Sequence, residues 1–197
     1  MTATVVEHGT QWEYLLRTWR ELDVPEGWRA EVEGGRILLA PPPGKGHNYI
    51  AGEVHTALLR CLSADVGVYQ TLGTQIARLQ KVCVPDLVVV EKSALTGSPD
   101  PDADPVDAAD VLMAVEITSS GNARHDRTKK LWAYAHAPVP LYLLIDRFDE
   151  HEPTVTLFSK PLNGAYQVSV RTPFGKPVAL PGPFDVELAT EGFPLPG

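Results

Sequence analysis

Apolar residues recur at helical spacing in three segments of the chain. Intervals of three and four residues separate them over 9–22, 47–62 and 123–136, which predicts three amphipathic helices. The third helix is basic, and the residues expected to point inward from it are Leu131, Tyr134 and Ala135.

Three apolar runs predict β-strands that are buried on both faces. They cover 82–90, 111–118 and 141–145. Pro85 lies inside the first run and predicts a bulge or an interruption of strand pairing. The helix predicted over 123–136 lies between the second and third runs, so we expect these two strands to be parallel neighbours in a βαβ unit.

Turn residues predict two β-hairpins. Gly34-Gly35 joins two short strands over 28–40, and Asn163-Gly164 joins two alternating runs over 154–171. Helices and strands together predict an α/β fold with a mixed sheet.

The chain is expected to form one domain over 1–197, with an N-terminal helix within 1–25. Residues 93–110 contain five Asp, three Pro and no basic residue, which is typical of a solvated loop or a partly disordered insertion. Residues 172–197 are rich in Pro and Gly, and we expect them to wrap around the surface.

The composition predicts a cytoplasmic protein without a membrane span. Two cysteines are too few for a disulfide framework, and there is no apolar run of membrane length and no signal peptide. The formal net charge of -8 at first argues against a nucleic-acid partner. However, eight acidic residues lie in 93–110 and 181–197, two segments without a base, and their charges equal the formal net charge of the whole chain. The rest of the chain is therefore close to neutral, which predicts weak, salt-sensitive binding to nucleic acid.

Three charged residues break the apolar pattern of the predicted core. Asp86 and Glu116 lie in buried runs, and Lys130 lies on the basic helix. Because burying a carboxylate is costly, each needs a cation, a metal or strong hydrogen bonds. Two strand-end carboxylates suit Mg²⁺, and a nearby ammonium would stabilise charge on a phosphate, which makes a phosphodiester hydrolase possible. A structural alternative stays open: Asp86 as a turn residue, and Glu116 as the ion-pair partner of Lys130.

Blocks of sequence containing these residues resemble a known family. Pro85-Asp86 and Glu116-x-Thr118 are similar to the PD-(D/E)xK motif of restriction-endonuclease-like nucleases, and the chain from about Trp28 onward resembles the Uma-type endonuclease family, formerly a domain of unknown function. The blocks are A-E-V-E-G-G-R-I at 30–37, P-P-P-G-K-G-H at 41–47, V-P-D-L-V-V-V at 84–90, V-E-I-T-S-S at 115–120, D-R-T-K-K-L-W-A-Y-A at 126–135 and V-P-L-Y-L-L-I-D at 139–146.

The resemblance implies a restriction-endonuclease-like core, a mixed β-sheet flanked by helices, and a nuclease that uses Mg²⁺ or Mn²⁺. It assigns Asp86 and Glu116 as metal ligands, with Glu31 as a third acidic ligand. Thr118 replaces the motif lysine, and the family pattern places that lysine on the following helix, at Lys130. Asp126, four residues earlier, is expected to orient Lys130.

Further residues receive expectations of their own. His47 matches a family histidine, for which helix capping and phosphate contact both stay open. Arg124 and Arg127 are expected phosphate contacts beside the cleft, and Lys129 faces elsewhere and serves as a control. Trp12, Trp19 and Trp132 have the spacing of helix core residues rather than of a surface on which bases stack.

Three functional hypotheses follow. The first is an endonuclease acting on nucleic acid, with DNA the expected substrate. The second is a catalytically inactive module that binds nucleic acid or a partner on the same fold. The third, a structural homo-oligomer, does not explain the two carboxylates in apolar strands. Sheet edges also make a homodimer an expectation.

Overall fold

Two mixed β-sheets and a small two-stranded sheet form the framework of the computed structural model, which describes residues 8–97, 100 and 104–196. The strands are β1 (Arg29–Glu33), β2 (Arg36–Ala40), β3 (Val66–Tyr69), β4 (Thr74–Ile76), β5 (Lys81–Cys83), β6 (Leu87–Glu91), β7 (Val106–Asp107), β8 (Val111–Ile117), β9 (Leu141–Asp146), β10 (Thr154–Leu162), β11 (Ala165–Pro173), β12 (Val178–Leu180) and β13 (Val186–Leu188). The helices are α1 (His8–Glu21), α2 (Lys45–Leu59), α3 (Ser93–Thr96), α4 (Ala123–His125) and α5 (Leu131–His136). A π-helical segment, Asp126–Lys130, joins α4 to α5, and 3₁₀ turns cover Ala77–Leu79 and Ala108–Asp110.

The larger sheet has six strands in the order β11-β10-β9-β8-β6-β3. β8 and β9 are parallel neighbours, in register from Met113 opposite Leu141 to Ile117 opposite Ile145, which confirms the predicted βαβ unit. The predicted C-terminal hairpin is β10 and β11, which turn at Asn163 and Gly164 with positive φ angles of 52° and 78°.

The predicted strand over 82–90 is wrong as a single element. It divides into β5 and β6, which belong to different sheets, and the chain crosses between the sheets at Val84, Pro85 and Asp86. Pro85 has no N–H to donate to a strand neighbour, so it favours such a break. The second sheet, ordered β2-β1-β5-β4-β7, contains the predicted N-terminal hairpin as β1 and β2.

Alternating residues of β8 face two different apolar cores. Met113, Val115 and Ile117 pack in the core beneath α2, whereas Ala114 packs in the core that contains Tyr134 of α5. Because side chains alternate across a strand, Glu116 points to the same side as Ala114. The sheet therefore directs Glu116 toward the segment that carries Lys130.

The two segments expected to be irregular are more ordered than their composition suggests. Val106 and Ala108, apolar residues near the end of the acidic segment, are buried beside β4, and residues 98–99 and 101–103 of that segment lie outside the described residues. The C-terminal segment forms β12 and β13, and it supplies five buried residues to the core beneath α2: Val178, Leu180, Phe184, Leu188 and Phe193. Among the described residues, none of the helices is long and apolar enough to span a membrane.

Candidate active site

Glu116 is a fully buried carboxylate near the end of β8. Its Oε1 accepts hydrogen bonds from Lys130 Nζ at 2.9 Å and from the Tyr134 hydroxyl at 2.8 Å, and the residue is 1% exposed. Burial raises the pKa of Glu116 to about 7, although the Lys130 charge opposes the increase. This carboxyl group is therefore protonated more easily than an exposed glutamate.

Lys130 joins two carboxylates that come from different sheets. Its Nζ lies 2.9 Å from Oε1 of Glu116 and 2.9 Å from Oε1 of Glu31 on β1. Burial alone would lower the pKa of Lys130, but the charges of Glu116 and Glu31 raise it well above its usual value. The side chain is therefore a permanent cation.

Glu31 is fixed in place by the break between β5 and β6. Its Oε1 also accepts a 2.8 Å hydrogen bond from the backbone N–H of Val84. Burial raises the pKa of Glu31, but the Lys130 charge and this hydrogen bond outweigh burial and hold it below the usual value. The interruption at Pro85 thus supplies a donor to the site.

Asp86 lies beside the end of β8. Its Oδ2 accepts a 2.7 Å hydrogen bond from the N–H of Ile117, the residue after Glu116. Its Oδ1 lies 2.5 Å from Arg29 Nη1 and 2.9 Å from His47 Nε2. Burial raises the pKa of Asp86, but His47 and Arg29 more than compensate and keep it lowered. Asp86 is thus a carboxylate held by a cation and two hydrogen-bond donors.

Asp126 is a buried carboxyl group without a hydrogen bond. It is 0% exposed, and neither carboxyl oxygen has a hydrogen-bond partner among the described residues. Lys130 Nζ is 4.0 Å from Oδ1, which is too far for the expected hydrogen bond. Burial, reinforced by the negative charge of Glu116, raises the pKa of Asp126 to about 8.

Asp126 and Lys130 begin and end the π-helical segment, and both are buried. Short π-helical segments inside α-helices frequently occur at functional sites. Helical periodicity in the sequence predicted one continuous helix over 123–136 and gave no sign of this local change.

The three residues expected to contact phosphate have different surroundings. His47 neither caps α2, whose N-cap is Gly44, nor points to open space, because it is buried against Asp86. Arg127 donates to both carboxylate oxygens of Asp146, at 2.6 and 2.9 Å. Arg124 is exposed. The structure therefore brings Asp86, Glu116, Glu31 and Lys130 together and does not bring Arg124 or Arg127 to them.

Thr118 has a structural role at the position of the motif lysine. Its hydroxyl donates to Asp146 at 3.1 Å and accepts a 2.9 Å hydrogen bond from the Arg147 N–H. It joins the ends of the parallel strands β8 and β9. The departure from the motif therefore does not remove a cation from the site, because Lys130 provides one.

Sequence reasoning missed Arg29, which binds Asp86. Arg29 precedes Glu31 by two residues on β1, so the period of a strand places both on one face. The strand period was therefore the signal that could have identified Arg29. The hydrogen bond from Tyr134 to Glu116 was also missed, although Tyr134 follows Lys130 by four residues on the helix.

A cavity of about 310 Å³ opens onto these groups and is lined in part by Arg29, Glu31, Asp126 and Lys130. Four carboxyl groups lie in and beside it, together with two cations, Arg29 and Lys130. Within the described residues, no three His, Cys, Asp or Glu side chains are already arranged to hold a metal ion. The four sets of carboxyl oxygens and the Asp126 carboxyl, which has no hydrogen bond, nevertheless fit a hard divalent cation.

Lys129 lies outside this cluster, as expected. Its Nζ is 3.5 Å from Glu33, and its side chain is 62% exposed. It lines a different groove, together with Glu33, Lys81 and Trp132.

The chain is similar to proteins described as nucleases. The model of the Uma2 family, described as "Putative restriction endonuclease", matches residues 12–191. The chain also resembles the crystal structure of "a putative nuclease belonging to DUF820 from Anabaena variabilis ATCC 29413", with 18% identity over 90% of this chain and 96% of that chain and a TM-score of 0.69. No curated protein matches the chain. The structural likeness confirms the restriction-endonuclease-like α/β fold, and the family description supports nuclease function.

Proposed function

The chain belongs to the Uma2 family of putative restriction endonucleases, and from that membership we propose that it is a divalent-metal-dependent endonuclease that hydrolyses phosphodiester bonds of DNA. Mg²⁺ or Mn²⁺ is the proposed metal. The observation that carries the proposal is the position of Lys130 Nζ, 2.9 Å from both Glu31 and Glu116, at a cavity that the Asp126 carboxyl group also lines.

Glu116 and Lys130 would have different roles in hydrolysis at a phosphate. Glu116, which is 1% exposed and accepts a hydrogen bond from Lys130, would help to hold the metal rather than take a proton from water. The pKa of Lys130 is raised well above its usual value, so its ammonium keeps its proton and instead stabilises negative charge that develops on the phosphate oxygens.

Asp86, Glu116 and Glu31 are the proposed ligands of the metal, with Asp126 as an additional carboxyl group beside them. The bound cation supplies Lewis-acid stabilisation of the phosphate charge. The raised pKa values of Glu116 and Asp126, about 7 and 8, arise chiefly from burial and are increased further by neighbouring negative charges. A divalent cation would relieve that repulsion, which supports a metal at this position.

A cleavage assay tests the proposal. Purified protein is incubated with plasmid DNA in Mg²⁺, in Mn²⁺ and in a chelator, beside Glu116→Gln and the control Lys176→Met, which replaces an exposed lysine outside the site. We expect metal-dependent cleavage by the wild type and by the control only. Equal cleavage by Glu116→Gln would point to a contaminating nuclease and refute the assignment.

A catalytically inactive binding module is a second candidate, favoured by one observation. Lys130 and Arg29 already pair with the three carboxylates that would bind the metal. Calorimetric titration with Mg²⁺ and Mn²⁺ distinguishes the two functions. Metal binding that Asp86→Asn abolishes supports the nuclease, whereas an absence of binding supports the inactive module.

A further inference from the structure

A second, larger groove lies beside the candidate active site. Its volume is about 570 Å³, and it is lined by Glu33, Leu79, Lys81, Thr128, Lys129 and Trp132. This volume is in the range of small-molecule sites in proteins, so the groove has room for a nucleobase and its sugar. We call it the Trp132 groove.

Two connections place the Trp132 groove next to the catalytic cluster. Glu33 of the groove follows Glu31 of the cluster by two residues on β1, so both point to the same side of the strand. His125 lines the active-site cavity, and its Nε2 lies 2.8 Å from Oε2 of Glu33. A strand of nucleic acid with one phosphate in the cavity therefore has its neighbouring nucleotide within reach of the groove.

Trp132 offers an aromatic surface there. The residue is 51% exposed, and its ring packs on His136 with the ring centroids 4.0 Å apart. The expectation that Trp132 is a core residue of the helix is therefore wrong, because only part of its surface is covered. Exposed aromatic rings are the usual platform on which proteins stack unpaired bases.

The charges of the groove suit a nucleotide. Lys81 and Lys129 provide two ammonium groups against the single carboxylate of Glu33, which Lys81 Nζ contacts at 3.0 Å. Lys129 is 3.5 Å from Glu33 and keeps most of its side chain in solvent. Its ammonium group is thus positioned for a phosphate beside the stacked base.

We propose that the Trp132 groove binds an unpaired nucleotide, with the base stacked on Trp132 and the phosphate near Lys129. The substrate is then DNA that is single-stranded, or locally unpaired, next to the bond that is cut. This inference rests on the proposed function, since it names the class of DNA that the cluster would cleave.

Binding in a chelator tests the inference without cleavage. Fluorescence anisotropy compares a labelled single-stranded oligonucleotide with its duplex, using the wild type, Trp132→Ala, Trp132→Phe and Tyr14→Ala. Tyr14 is an exposed aromatic residue on α1, outside the groove, and serves as the matched control. Circular dichroism of each variant establishes that it is folded.

We expect the wild type to prefer the single strand, and Trp132→Ala to weaken that binding about tenfold or more. Trp132→Phe should retain most of the affinity, and Tyr14→Ala all of it. Lys129→Gln should reduce the salt dependence by about one phosphate contact. Equal binding of single strand and duplex, wild-type affinity of Trp132→Ala, or no binding at all would each overturn the inference.

The cleavage assay separates this inference from the proposed function. If the wild type cuts DNA with metal but Trp132→Ala binds the single strand normally, the groove assignment is wrong and the nuclease stands. If no metal supports cleavage but Trp132→Ala no longer binds the single-stranded oligonucleotide, the groove is a binding site and the proposed nuclease function is wrong.

Discussion

Replacing Lys130 by methionine removes the charge that the buried Glu116 and the partly buried Glu31 share, and keeps a side chain of similar length. Glu31 and Glu116 each lie 2.9 Å from Lys130 Nζ, and Glu116 is 1% exposed. Breaking a buried ion pair by removing one partner costs about 3–5 kcal/mol, because the remaining charge stays buried. We therefore expect the free energy of unfolding to fall by this amount at about pH 8.

The loss should be smaller at low pH. The pKa of Glu116 is raised to about 7 by burial, and without the Lys130 charge it rises further. At about pH 6 the variant can protonate Glu116 and avoid part of the buried charge, so its deficit shrinks there.

Urea unfolding followed by circular dichroism measures both values. Lys129→Met is the matched control on the adjacent residue, because its side chain is 62% exposed and an exposed ion pair contributes only about 0–1 kcal/mol. Equal stability of Lys130→Met and Lys129→Met at about pH 8 would refute the reasoning, since Glu116 and Glu31 would then not depend on the lysine.

Three further predictions concern pH, an ion pair and metal. Because the pKa of Glu116 is raised by burial from 4.5 to about 7, its stabilising protonated form is fully present below 4.5 and is lost as the pH rises through 7. Glu116→Gln should therefore flatten the decline in Tm over this window, as measured by thermal scans. Arg127→Ala should cost about 3 kcal/mol in urea unfolding, the lower end of the range for a buried pair, because Asp146 loses its cation but keeps the Thr118 hydroxyl as a donor. Arg124→Ala, at an exposed position, should change stability by less than about 0.5 kcal/mol. Saturating Mg²⁺ should raise the wild-type Tm and removal with a chelator should reverse the increase, while Asp86→Asn should show neither change.

The features predictable from the sequence depend on local pattern. Uninterrupted apolar runs predicted β8 and β9, and the basic helix between them predicted their parallel pairing. Asn163-Gly164 predicted the C-terminal hairpin through the φ angles that such a turn requires.

The features that the sequence did not reveal depend on contacts between distant residues. The division of the apolar run at Val84–Asp86 requires a second sheet for β5 to join, and nothing in the run itself identifies that sheet. The contacts of Asp86 with Arg29 and His47 join residues 57 and 39 positions apart, so neither partner follows from local spacing.

The sequence predicted which residues form the candidate site, but not how each of them is buried and hydrogen-bonded. Motif resemblance selected Asp86, Glu116, Glu31 and Lys130, which the structure brings together. Motif resemblance carries no information on the unpaired carboxyl group of Asp126, because burial of that group depends on the whole fold.

One measurement tests most directly whether the cluster around Lys130 is the nuclease centre. It is the rate of plasmid cleavage in Mg²⁺ by Lys130→Met, compared with the wild type and with Lys176→Met prepared identically. Loss of a preorganised group that stabilises transition-state charge lowers turnover about 10²–10³-fold, so we predict that decrease for Lys130→Met and none for Lys176→Met. Cleavage by folded Lys130→Met at the wild-type rate would contradict the account.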